Sequence, residues 1–463
     1  MRWRSVHARS YSAEPRLTVL GTGYLGITHA ACMASLGFEV LGVDTDAAKV
    51  EKLSAGVTPI YEPELAELVR AQLDSGRLRF TTSYDKAASF GDVHFICTGT
   101  PQLPGGGGAD LSQVRSCVAA LAPLLDRPSL IVGKSTVPVG TARELARYLA
   151  GAGSRAELAW NPEFLREGSA VRDTLAPDRI VAGVTSQRGE DVLRQVYEPL
   201  LNAGTPFFVT SLETAELAKA AANAFLATKI SFINAMAEVC EAAGGNILEL
   251  SEILGADPRI GGQSLRAGLG FGGGCLPKDI RGFMSRADEL GVQSAVGLLG
   301  EVDRINLRRR SRTADLALEL AGGELTGATV CVLGAAFKPG SDDVRESPAL
   351  DVAQILHGLG AQVRVYDPVA SANAAAARPE LQYPSSLDEA AADATVVLLL
   401  TEWPEFTALL PDDLAGLVKQ KNIVDARNVL TPTAWLAAGW NYRALGIGTG
   451  TPGRPASELE RSW

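Results

Sequence analysis

A glycine pattern near the amino terminus constrains the fold of this chain more than any other feature. Residues 17–20 form a short apolar run that predicts a buried strand, and Gly21, Gly23 and Gly26 follow it in the spacing GxGxxG before an apolar helical pattern. At such a junction the first glycine permits a tight turn, the second lets a phosphate approach the backbone, and the third lets helix and strand pack closely. The pattern predicts the start of a doubly wound α/β domain.

The next strand supports a dinucleotide as the ligand of this turn. It covers 40–43 and ends in Asp44, whose carboxylate can accept hydrogen bonds from ribose hydroxyls and repel a 2′-phosphate. Free N–H groups at the helix start suit the pyrophosphate. We therefore predict NAD as the cofactor, although a solvated surface lysine explains Lys49 equally well and a simple turn explains Thr100. The expected NAD contacts are Gly21, Gly23, Tyr24, Leu25, Gly26, Asp44, Lys49 and Thr100.

Strand and helix patterns alternate in the first part of the chain, stop near Ser211, and resume after about Gly322. The alternation predicts an α/β fold with two doubly wound, Rossmann-like domains, joined by a long central helix and a small helical domain. From Ser211 to about Ala243 no glycine or proline interrupts an alanine-rich pattern, which corresponds to a helix of about 33 residues, roughly 50 Å long. Such a helix must bury its surface between two domains or in a dimer.

The predicted division of the chain has five parts. They are a disordered leader over 1–16, an NAD-binding Rossmann domain over 17–210, a central helical dimerisation domain with a cysteine loop over 211–321, a second α/β domain over 322–447, and a flexible tail over 448–463.

Composition excludes several classes of protein. The net charge of −10 argues against nucleic acid as a partner. No run of about 18 apolar residues occurs, so we expect no membrane span, and the leader lacks the apolar stretch of a signal peptide. The six cysteines form no CxxC pair, so we expect neither a metal site nor a disulfide framework. The same cysteine usage predicts a cytoplasmic location.

A second glycine-rich segment surrounds one of these cysteines. Five glycines occur within 268–274, and Cys275 follows them. So many glycines suit a loop that presses its backbone against a ligand. Pro277 suits the first turn of a helix, which would place Cys275 at the helix start, where the dipole and nearby lysines favour a thiolate. Asp279 would lie one turn further on the same face. A small buried structural cysteine is the alternative.

At these residues the chain resembles the UDP-glucose 6-dehydrogenase family, within the nucleotide-sugar 6-dehydrogenases. The resemblance extends from about Leu17 to about Leu430 and rests on separate motifs in the family's order. They are the glycine turn at 21–26, Lys-Ser-Thr-Val-Pro at 134–138, Asn-Pro-Glu-Phe-Leu-Arg-Glu-Gly at 161–168, Lys219 with Asn223, the segment 271–279, Phe-Lys-Pro at 337–339, and Asp-Val-Arg-Glu-Ser at 343–347.

The resemblance implies a four-electron oxidation of UDP-glucose to UDP-glucuronate with two NAD per sugar, through a cysteine thiohemiacetal and a thioester. A sulfur nucleophile makes two oxidations possible because a thiohemiacetal is again an alcohol. The roles that the family implies are nucleophile for Cys275, oxyanion stabilisation for Lys219 and Asn223, positioning or activation of water for Asp279 and Thr136, and proton transfer for Glu167.

The resemblance also implies contacts with the substrate, the cofactor and a second subunit. It predicts a homodimer in which Arg259 reaches the neighbouring subunit's site, and it adds Thr136, Glu167 and Arg345 to the NAD contacts. A structural ion pair is an equal interpretation of Arg427. The implied substrate-binding residues are Glu163, Phe164, Leu165, Lys219, Asn223, Arg259, Phe271, Gly272, Lys338 and Arg427.

Departures from the family's pattern and alternative functions stay open at this point. Glu64 replaces a usual glycine, and Ser264 stands where some relatives have an aromatic near the base. The residues 60–63 favour UDP-glucose over GDP-mannose as the substrate. dTDP-glucose stays open, because its base differs from that of UDP-glucose by one methyl group, and a pocket discriminates such a group by only about 1–3 kcal/mol of binding free energy. A one-step dehydrogenase of the 6-phosphogluconate or hydroxyacid kind, or an inactive binding protein, would not need Cys275.

Overall fold

The computed structural model describes residues 14–104 and 107–448. Except for 14–16 and Gly448, the predicted leader and tail lie outside these residues. The described residues form two compact units. The first unit contains the chain up to Leu103 and Ala109–Lys219, and the second contains the short Pro104–Gly108 segment and the chain from Ala220 onward. The predicted division into three folded domains stays a proposal.

The first unit is built on an eight-stranded sheet in the order β3-β2-β1-β4-β5-β6-β7-β8. Its first six strands are parallel, in the order typical of dinucleotide-binding folds. The strands are β1 (Leu17–Leu20), β2 (Val40–Val43), β3 (Leu78–Thr81), β4 (Val93–Ile96), β5 (Leu130–Gly133), β6 (Glu157–Trp160), β7 (Ile180–Gly183) and β8 (Phe207–Thr210).

Within the described residues of this unit, nine α-helices lie beside the strands, and a tenth begins there. They are α1 (Tyr24–Ser35), α2 (Ala47–Ser54), α3 (Leu65–Asp74), α4 (Tyr84–Phe90), α5 (Ser112–Leu121), α6 (Thr141–Gly151), α7 (Ala170–Leu175), α8 (Gln187–Val196), α9 (Glu198–Asn202) and α10 (Leu212–Ala243). Leu17 and Val19 of β1 belong to one apolar cluster and Leu20 to another. Alternate strand residues therefore pack into cores on both faces of the sheet, which confirms the doubly wound prediction.

The seventh strand departs from an all-parallel sheet. β7 pairs with β6 in the antiparallel sense, through Trp160 and Gly183, whereas β8 is again parallel to β7. Glycine is required at two positions beside this junction. A Cβ on Gly133 would lie 2.1 Å from the Trp160 ring, and one on Gly183 would lie 2.7 Å from Ala215 at the start of α10. The sheet is thus mixed at one edge, which is common in large α/β sheets.

The second unit combines helices with a five-stranded parallel sheet in the order β10-β9-β11-β12-β13. Its strands are β9 (Thr329–Leu333), β10 (Gln362–Tyr366), β11 (Val396–Leu399), β12 (Asn422–Asp425) and β13 (Asn441–Ala444). Its helices beyond α10 are α11 (Ile247–Gly255), α12 (Leu276–Glu289), α13 (Leu298–Leu320), α14 (Pro348–Gly358), α15 (Ser371–Ala377), α16 (Leu387–Ala391), α17 (Pro404–Thr407), α18 (Pro411–Ala415) and α19 (Pro432–Ala437).

The long helix agrees with the sequence pattern. α10 runs uninterrupted for 32 residues, Leu212–Ala243, which confirms the prediction of a long central helix. None of the helices in the described part of the chain is long and apolar enough to cross a membrane.

The departure at Glu64 has a conformational consequence. Glu64 has φ 66° in the left-handed region, where a Cβ costs roughly 1–2 kcal/mol. We expect Glu64→Gly to raise the free energy of unfolding by about 0.5–1 kcal/mol, after allowing for the greater flexibility of unfolded glycine. Chemical denaturation measures this change. Glu67→Gly, inside α3, is the control and should lower stability instead. Equal or lower stability of Glu64→Gly would contradict the expectation.

Candidate active site

The glycine turn of the first unit has the geometry that a dinucleotide requires. Gly21 has φ 89°, and a Cβ there would lie 2.9 Å from the backbone nitrogen of Thr98. A Cβ on Gly26 would lie 1.8 Å from the carbonyl oxygen of Gly21, whereas the same position on Gly23 meets no atom within 4 Å. Gly21 and Gly26 are therefore needed for packing, and the space beside Gly23 is open for a pyrophosphate at the start of α1.

Asp44 ends β2 beside this turn. Its Oδ2 accepts hydrogen bonds from the backbone and hydroxyl of Thr22, at 3.0 and 2.9 Å, and pairs with Lys49 Nζ at 2.9 Å. Burial alone raises the pKa of Asp44, but the hydrogen bonds from Lys49, Asp46 and Thr22 outweigh it and hold the pKa below its usual value. Asp44 is therefore an anion at neutral pH, as recognition of ribose hydroxyls requires. The structure places Lys49 against Asp44, and its contact with adenosine stays a prediction.

Two threonines meet at the carboxyl ends of neighbouring strands. Thr100, which follows β4, donates its hydroxyl hydrogen to the carbonyl oxygen of Thr136 at 2.8 Å. Ser135, which follows β5, donates to the carbonyl oxygen of Thr98 at 2.6 Å. The loops after β4 and β5 are thus held together at the sheet edge where ligands bind in doubly wound folds. Thr136 itself stays partly exposed.

The predicted oxyanion cation lies in a buried ion pair. Lys219 Nζ lies 3.0 Å from Glu163 Oε1, and both side chains are largely buried. The other oxygen of Glu163 accepts a hydrogen bond from the backbone of Leu165 at 2.8 Å, and the ring of Phe164 lies 5.7 Å from Lys219 Nζ. The structure therefore brings Glu163, Phe164 and Leu165 together with Lys219, in the first unit.

A buried lysine, Lys134, supports the same segment through hydrogen bonds. Lys134 Nζ contacts Asn161 Oδ1 at 2.9 Å and the Tyr197 hydroxyl at 3.3 Å. Burial lowers the pKa of Lys134 to about 8. Asn161 also donates to the carbonyl oxygen of Val181 at 2.8 Å. Lys134 thus fixes the turn that carries Glu163. The sequence motif at 134–138 did not reveal this supporting role of Lys134.

Glu167 lies buried on the following turn. The pKa of Tyr24 is raised, first by burial, then by its hydrogen bond to Glu62, and also by the charge of Glu167. Glu167 and the first residue of α1 are therefore close enough to interact electrostatically.

In the second unit, the glycines of the segment before Cys275 allow close backbone packing. A Cβ on Gly270 would lie 2.4 Å from Asn306, one on Gly272 2.3 Å from the carbonyl oxygen of Glu346, and one on Gly273 2.8 Å from the Phe337 ring. A Cβ on Gly274 would meet the Arg345 guanidinium at 2.5 Å. These glycines are needed because the loop lies directly against the motifs at 337–339 and 343–347. The sequence predicted that this glycine-rich backbone packs closely against a ligand, whereas in the structure it packs closely against other segments of the protein.

Asn306 on α13 holds this loop and was missed by sequence reasoning. Its Oδ1 accepts the backbone hydrogen of Phe271 at 2.7 Å, and its Nδ2 donates to the Phe271 carbonyl at 3.0 Å. Further back, the Gly268 backbone donates to Asn234 Oδ1 at 2.8 Å. A lone asparagine in a long helix gives no signal for this contact, which joins residues 35 positions apart.

Cys275 is exposed, whereas the other five cysteines are buried. It is the N-cap residue of α12, and Pro277 lies in the first turn. The Asp279 backbone donates to the Cys275 carbonyl at 2.8 Å, so Asp279 lies one turn beyond the sulfur-bearing residue. This location at a helix N-terminus favours a thiolate, and the alternative of a buried structural cysteine is wrong.

Asp279 is held by two donors. Asn223 Nδ2 on α10 donates to Asp279 Oδ2 at 2.6 Å, and Lys278 Nζ donates to Asp279 Oδ1 at 2.7 Å. The Asp279 side chain is almost completely buried. A buried carboxylate with both oxygens held is oriented rigidly, which suits a group that positions water. The structure therefore joins Asn223 and Asp279, which are 56 residues apart in the sequence.

The predicted cations of the second unit have protein partners. Arg427 contacts Glu402 at 3.2 Å, and its guanidinium also contacts the carbonyls of Leu400, Gly270 and Phe337. The ion pair that was one interpretation of Arg427 is therefore present. Lys338 lies over the Phe337 ring, Arg345 pairs with Asp343, and the mostly exposed Arg259 pairs with Asp257. Their contacts with ligands stay predictions, as does the effect of Ser264, which has φ 64°.

The second sheet contains an aspartate in the position corresponding to Asp44, after the strand beside β9. Asp367 follows β10, but its two carboxylate oxygens already accept five hydrogen bonds. The donors are the backbones of Ala335, Ala336, Val369 and Ala370 and the indole of Trp403. Asp367 therefore fixes the turn at Gly334 and has little capacity left for a ribose. This favours a single NAD site, at the first sheet.

No group of three or more histidine, cysteine, aspartate or glutamate side chains within 14–104 and 107–448 could hold a metal ion. The residues at the first sheet, by contrast, fit NAD. An open space beside Gly23, the start of α1 and an ionised Asp44 occur together at the carboxyl edge of a six-strand parallel array. Gly21, Gly23, Tyr24, Leu25 and Gly26 would hold the pyrophosphate, and Asp44 the adenosine ribose.

Comparison with known proteins identifies the family. The chain matches the NAD-binding domain of the UDP-glucose/GDP-mannose dehydrogenase family over 15–201, the central domain over 213–308, and the UDP-binding domain over 331–432. It is 40% identical to the UDP-glucose 6-dehydrogenases of Rickettsia felis and Rhizobium meliloti, in each case over 93% of this chain and at least 96% of the relative.

Solved structures agree with these relatives. A UDP-glucose dehydrogenase from Pyrobaculum islandicum is 39% identical, covers 92% of this chain and 96% of its own, and has a TM-score of 0.84. A UDP-D-ManNAc dehydrogenase from Pyrococcus horikoshii is 29% identical, covers 93% of this chain and 99% of its own, and has a TM-score of 0.82. The chain therefore belongs to the UDP-glucose/GDP-mannose dehydrogenase family, and it is an NAD-dependent dehydrogenase.

Proposed function

We propose that the chain oxidises C6 of UDP-glucose to the carboxylate of UDP-glucuronate, a four-electron reaction that uses two NAD per sugar. The observation that carries this proposal is Cys275, an exposed cysteine at the start of α12, followed one turn later by a buried Asp279 held by Asn223. A single two-electron oxidation of an alcohol has no use for such a nucleophile, whereas continuation to the acid can use it, because the adduct of the thiolate with the aldehyde is again an alcohol.

Cys275 supplies the covalent chemistry. NAD, when bound, accepts the hydride that leaves C6 in each of the two oxidations. After the first, the Cys275 thiolate adds to the aldehyde carbon, so that an S–C bond forms and the carbonyl oxygen takes a proton. The resulting thiohemiacetal loses a second hydride and its hydroxyl proton to give a thioester. Water then adds to the thioester carbon, the S–C bond breaks, and the thiolate is released with the carboxylate.

The surrounding residues stabilise charge and place water in this scheme. Lys219 stabilises the oxyanion of the intermediates, and Asn223 contributes a second donor from the same helix, one turn further on. Asp279 positions the hydrolytic water, because both of its oxygens are held by neighbouring donors. Thr136 assists with that water, and Glu167 accepts or delivers the protons of the reaction.

Binding of the sugar nucleotide is assigned to residues from several loops. Glu163, Phe164 and Leu165 belong to the turn that Lys134 supports. Phe271 and Gly272 lie in the loop that Asn306 clamps. In this proposal, Lys338 and Arg427 bind the diphosphate, and Arg345 extends toward NAD. Arg427 has a structural role as well, since it already contacts the carbonyls of Gly270 and Phe337.

We propose UDP-glucose as the substrate, ahead of other nucleotide sugars, because the relatives named for UDP-glucose are more similar to this chain. The UDP-glucose 6-dehydrogenases are 40% identical, against 29% for the UDP-D-ManNAc enzyme. The residues at 60–63 also favour UDP-glucose over GDP-mannose, and dTDP-glucose is the alternative substrate. A panel of UDP-, dTDP- and GDP-sugars, with NADH counted for each, tests this choice. We expect two NADH per UDP-glucose; one NADH per sugar, or a strong preference for another sugar, would overturn the proposal.

We also propose a homodimer formed through α10. Phe225, Phe232 and Val239 repeat every seven residues on this helix and are each about half exposed or more. A contiguous stripe of large exposed apolar side chains is typical of an interaction surface. A second copy of the chain would cover the stripe with its own, as a two-fold interface does. Arg259 would then contribute to the partner's site, and the cytoplasm stays the predicted location.

The double variant Phe225→Asp with Phe232→Asp tests the dimer. Two carboxylates buried at an apolar interface should weaken dimerisation at least about a hundredfold, roughly 2.7 kcal/mol. Sedimentation velocity measures the dissociation constant. Phe208→Asp, at an equally exposed phenylalanine on β8, is the control and should leave the dimer intact. A monomeric wild type, or a fully dimeric double variant, would contradict the interface.

A further inference from the structure

A buried glutamate in the first unit, to which no role has been assigned so far, joins two parts of the site. Glu62 lies in the segment between α2 and α3 and is 5% exposed. Its Oε2 accepts hydrogen bonds from the Tyr24 hydroxyl and from the Gly168 backbone, the latter at 2.6 Å. Its Oε1 accepts the Ala170 backbone hydrogen at 2.7 Å. One carboxylate therefore holds three donors from two distant segments.

The first of these segments is the cofactor turn. Tyr24 is the first residue of α1 and follows Gly23, beside which the pyrophosphate space is open. Burial and the hydrogen bond to Glu62 raise the pKa of Tyr24, so its hydroxyl stays protonated and remains a donor. The Gly168 backbone also donates to the Tyr24 hydroxyl, at 3.1 Å. Glu62, Tyr24 and Gly168 thus form a closed triangle of hydrogen bonds.

The second segment carries Glu167. Its neighbours on either side are Gly168, which donates to Glu62, and Arg166, whose backbone and guanidinium are held by Asp173. Ala170 begins α7, so Oε1 of Glu62 satisfies an N–H at a helix N-terminus, where a carboxylate is favoured. The turn around Glu167 is therefore fixed at both ends, and Glu62 fixes the end nearer the cofactor turn.

We propose that Glu62 is a positioning residue that holds the Glu167 turn against the first turn of α1, and so determines both NAD affinity and the rate of the steps that Glu167 assists. The second part rests on the proposed function, because the role of Glu167 does. The first part depends only on NAD binding. Glu62 itself is a positioning residue because its two oxygens are already occupied by protein donors.

Neither glutamine nor aspartate can replace the Glu62 carboxylate in these contacts. Glutamine offers a single acceptor oxygen, and its NH₂ group would face either the Tyr24 hydroxyl or a backbone N–H, leaving a buried donor unpaired. Aspartate is one methylene shorter and cannot span from Tyr24 to Ala170. We therefore expect both Glu62→Gln and Glu62→Asp to loosen the Glu167 turn.

Calorimetric titration of the sugar-free enzyme with NAD is the primary experiment, because it needs no turnover. We expect Glu62→Gln to weaken NAD binding about tenfold and to lower kcat about tenfold at temperatures where the protein is folded. The matched control is Glu157→Gln. Glu157 also accepts hydrogen bonds in the first unit, from Ser186 and Arg188, but it is the first residue of β6, at the amino end of the parallel array that carries the cofactor turn at its carboxyl end. It should lower the melting temperature without changing NAD affinity or kcat.

Tyr24→Phe provides a second arm that leaves the two backbone bonds of Glu62 in place. We expect it to weaken NAD binding at least threefold, and the double variant to be no weaker than Glu62→Gln alone. Should Glu62→Gln fail to fold, the Tyr24→Phe titration decides. Unchanged NAD affinity in the folded Glu62→Gln protein, or in Tyr24→Phe when the former does not fold, overturns the proposal. Absence of turnover of every nucleotide sugar by the wild-type enzyme would refute the proposed function, but it would leave the proposed effect of Glu62 on NAD affinity intact.

Discussion

Replacing Cys275 with alanine is expected to abolish formation of the acid while leaving UDP-glucose binding within about threefold of the wild type. The side chain is exposed and begins α12, so its removal creates no core cavity. Without the sulfur, the aldehyde has no covalent partner and the second oxidation cannot proceed by the proposed route. We expect acid production to fall by at least about four orders of magnitude, which is on the scale of losing a covalent nucleophile.

Steady-state NADH production and direct chromatography of the sugar nucleotide measure this effect. Cys240→Ala is the matched control, since Cys240 is a buried cysteine in the same unit on α10. It should lower stability and leave kcat unchanged. Cys275→Ser distinguishes nucleophilicity from shape, because a hydroxyl fits the same space but is a far weaker nucleophile near neutral pH. Continued acid formation in Cys275→Ala would remove the basis of the proposed mechanism.

The second large effect is expected at Lys219. Its ammonium lies 3.0 Å from Glu163 in a buried ion pair. Lys219→Ala should lower kcat by about 10²–10³, since one oxyanion contact contributes roughly 3–4 kcal/mol to transition-state stabilisation. It should also destabilise the fold, because the Glu163 carboxylate is left buried without its cation.

The two consequences can be separated. The double variant Lys219→Ala with Glu163→Gln removes the unpaired charge, so we expect stability to recover while kcat stays low. Lys86→Ala, which removes an exposed lysine of the first unit, controls for the change in net charge and should behave as the wild type. Recovery of kcat in the double variant would show that Lys219 acts through Glu163 instead of through the oxyanion.

Much of the fold could be predicted because buried parallel strands are short continuous apolar runs. The strands over 17–20 and 40–43 were predicted with the bounds observed in the structure. Burial on both faces leaves little room for polar residues, so such runs stand out in a sequence. The same holds for α10, where the absence of glycine and proline over so long a stretch leaves few alternatives to a helix.

The strands that were not predicted lie mostly where the sheets end. β3 buries one of its four residues, and β8 buries none. β13 is the edge of the second sheet. An edge strand is partly solvated, so it lacks an apolar run and is recognised only through its neighbour. The antiparallel direction of β7 relative to β6 was not predicted either, since strand direction depends on the path of the connection and not on the side-chain pattern.

The site shows a similar division between local and distant information. The location of Cys275 at a helix start, with Asp279 one turn beyond, follows from residue spacing and from Pro277. The contact of Asn223 with Asp279 and the three bonds of Glu62 join residues between 38 and 108 positions apart. No local pattern encodes such contacts, and a glutamate in a loop has the appearance of a solvated charge.

Rapid acid quench of Asp279→Asn, followed by mass spectrometry of the peptide that contains Cys275, tests the central claim most directly. With UDP-glucose and NAD, a variant impaired in positioning the hydrolytic water should accumulate an acyl group on the Cys275 sulfur. The adduct should be removed by hydroxylamine and be absent without NAD. Quantitative turnover to UDP-glucuronate with an unmodified Cys275 peptide at every time point would contradict the covalent route.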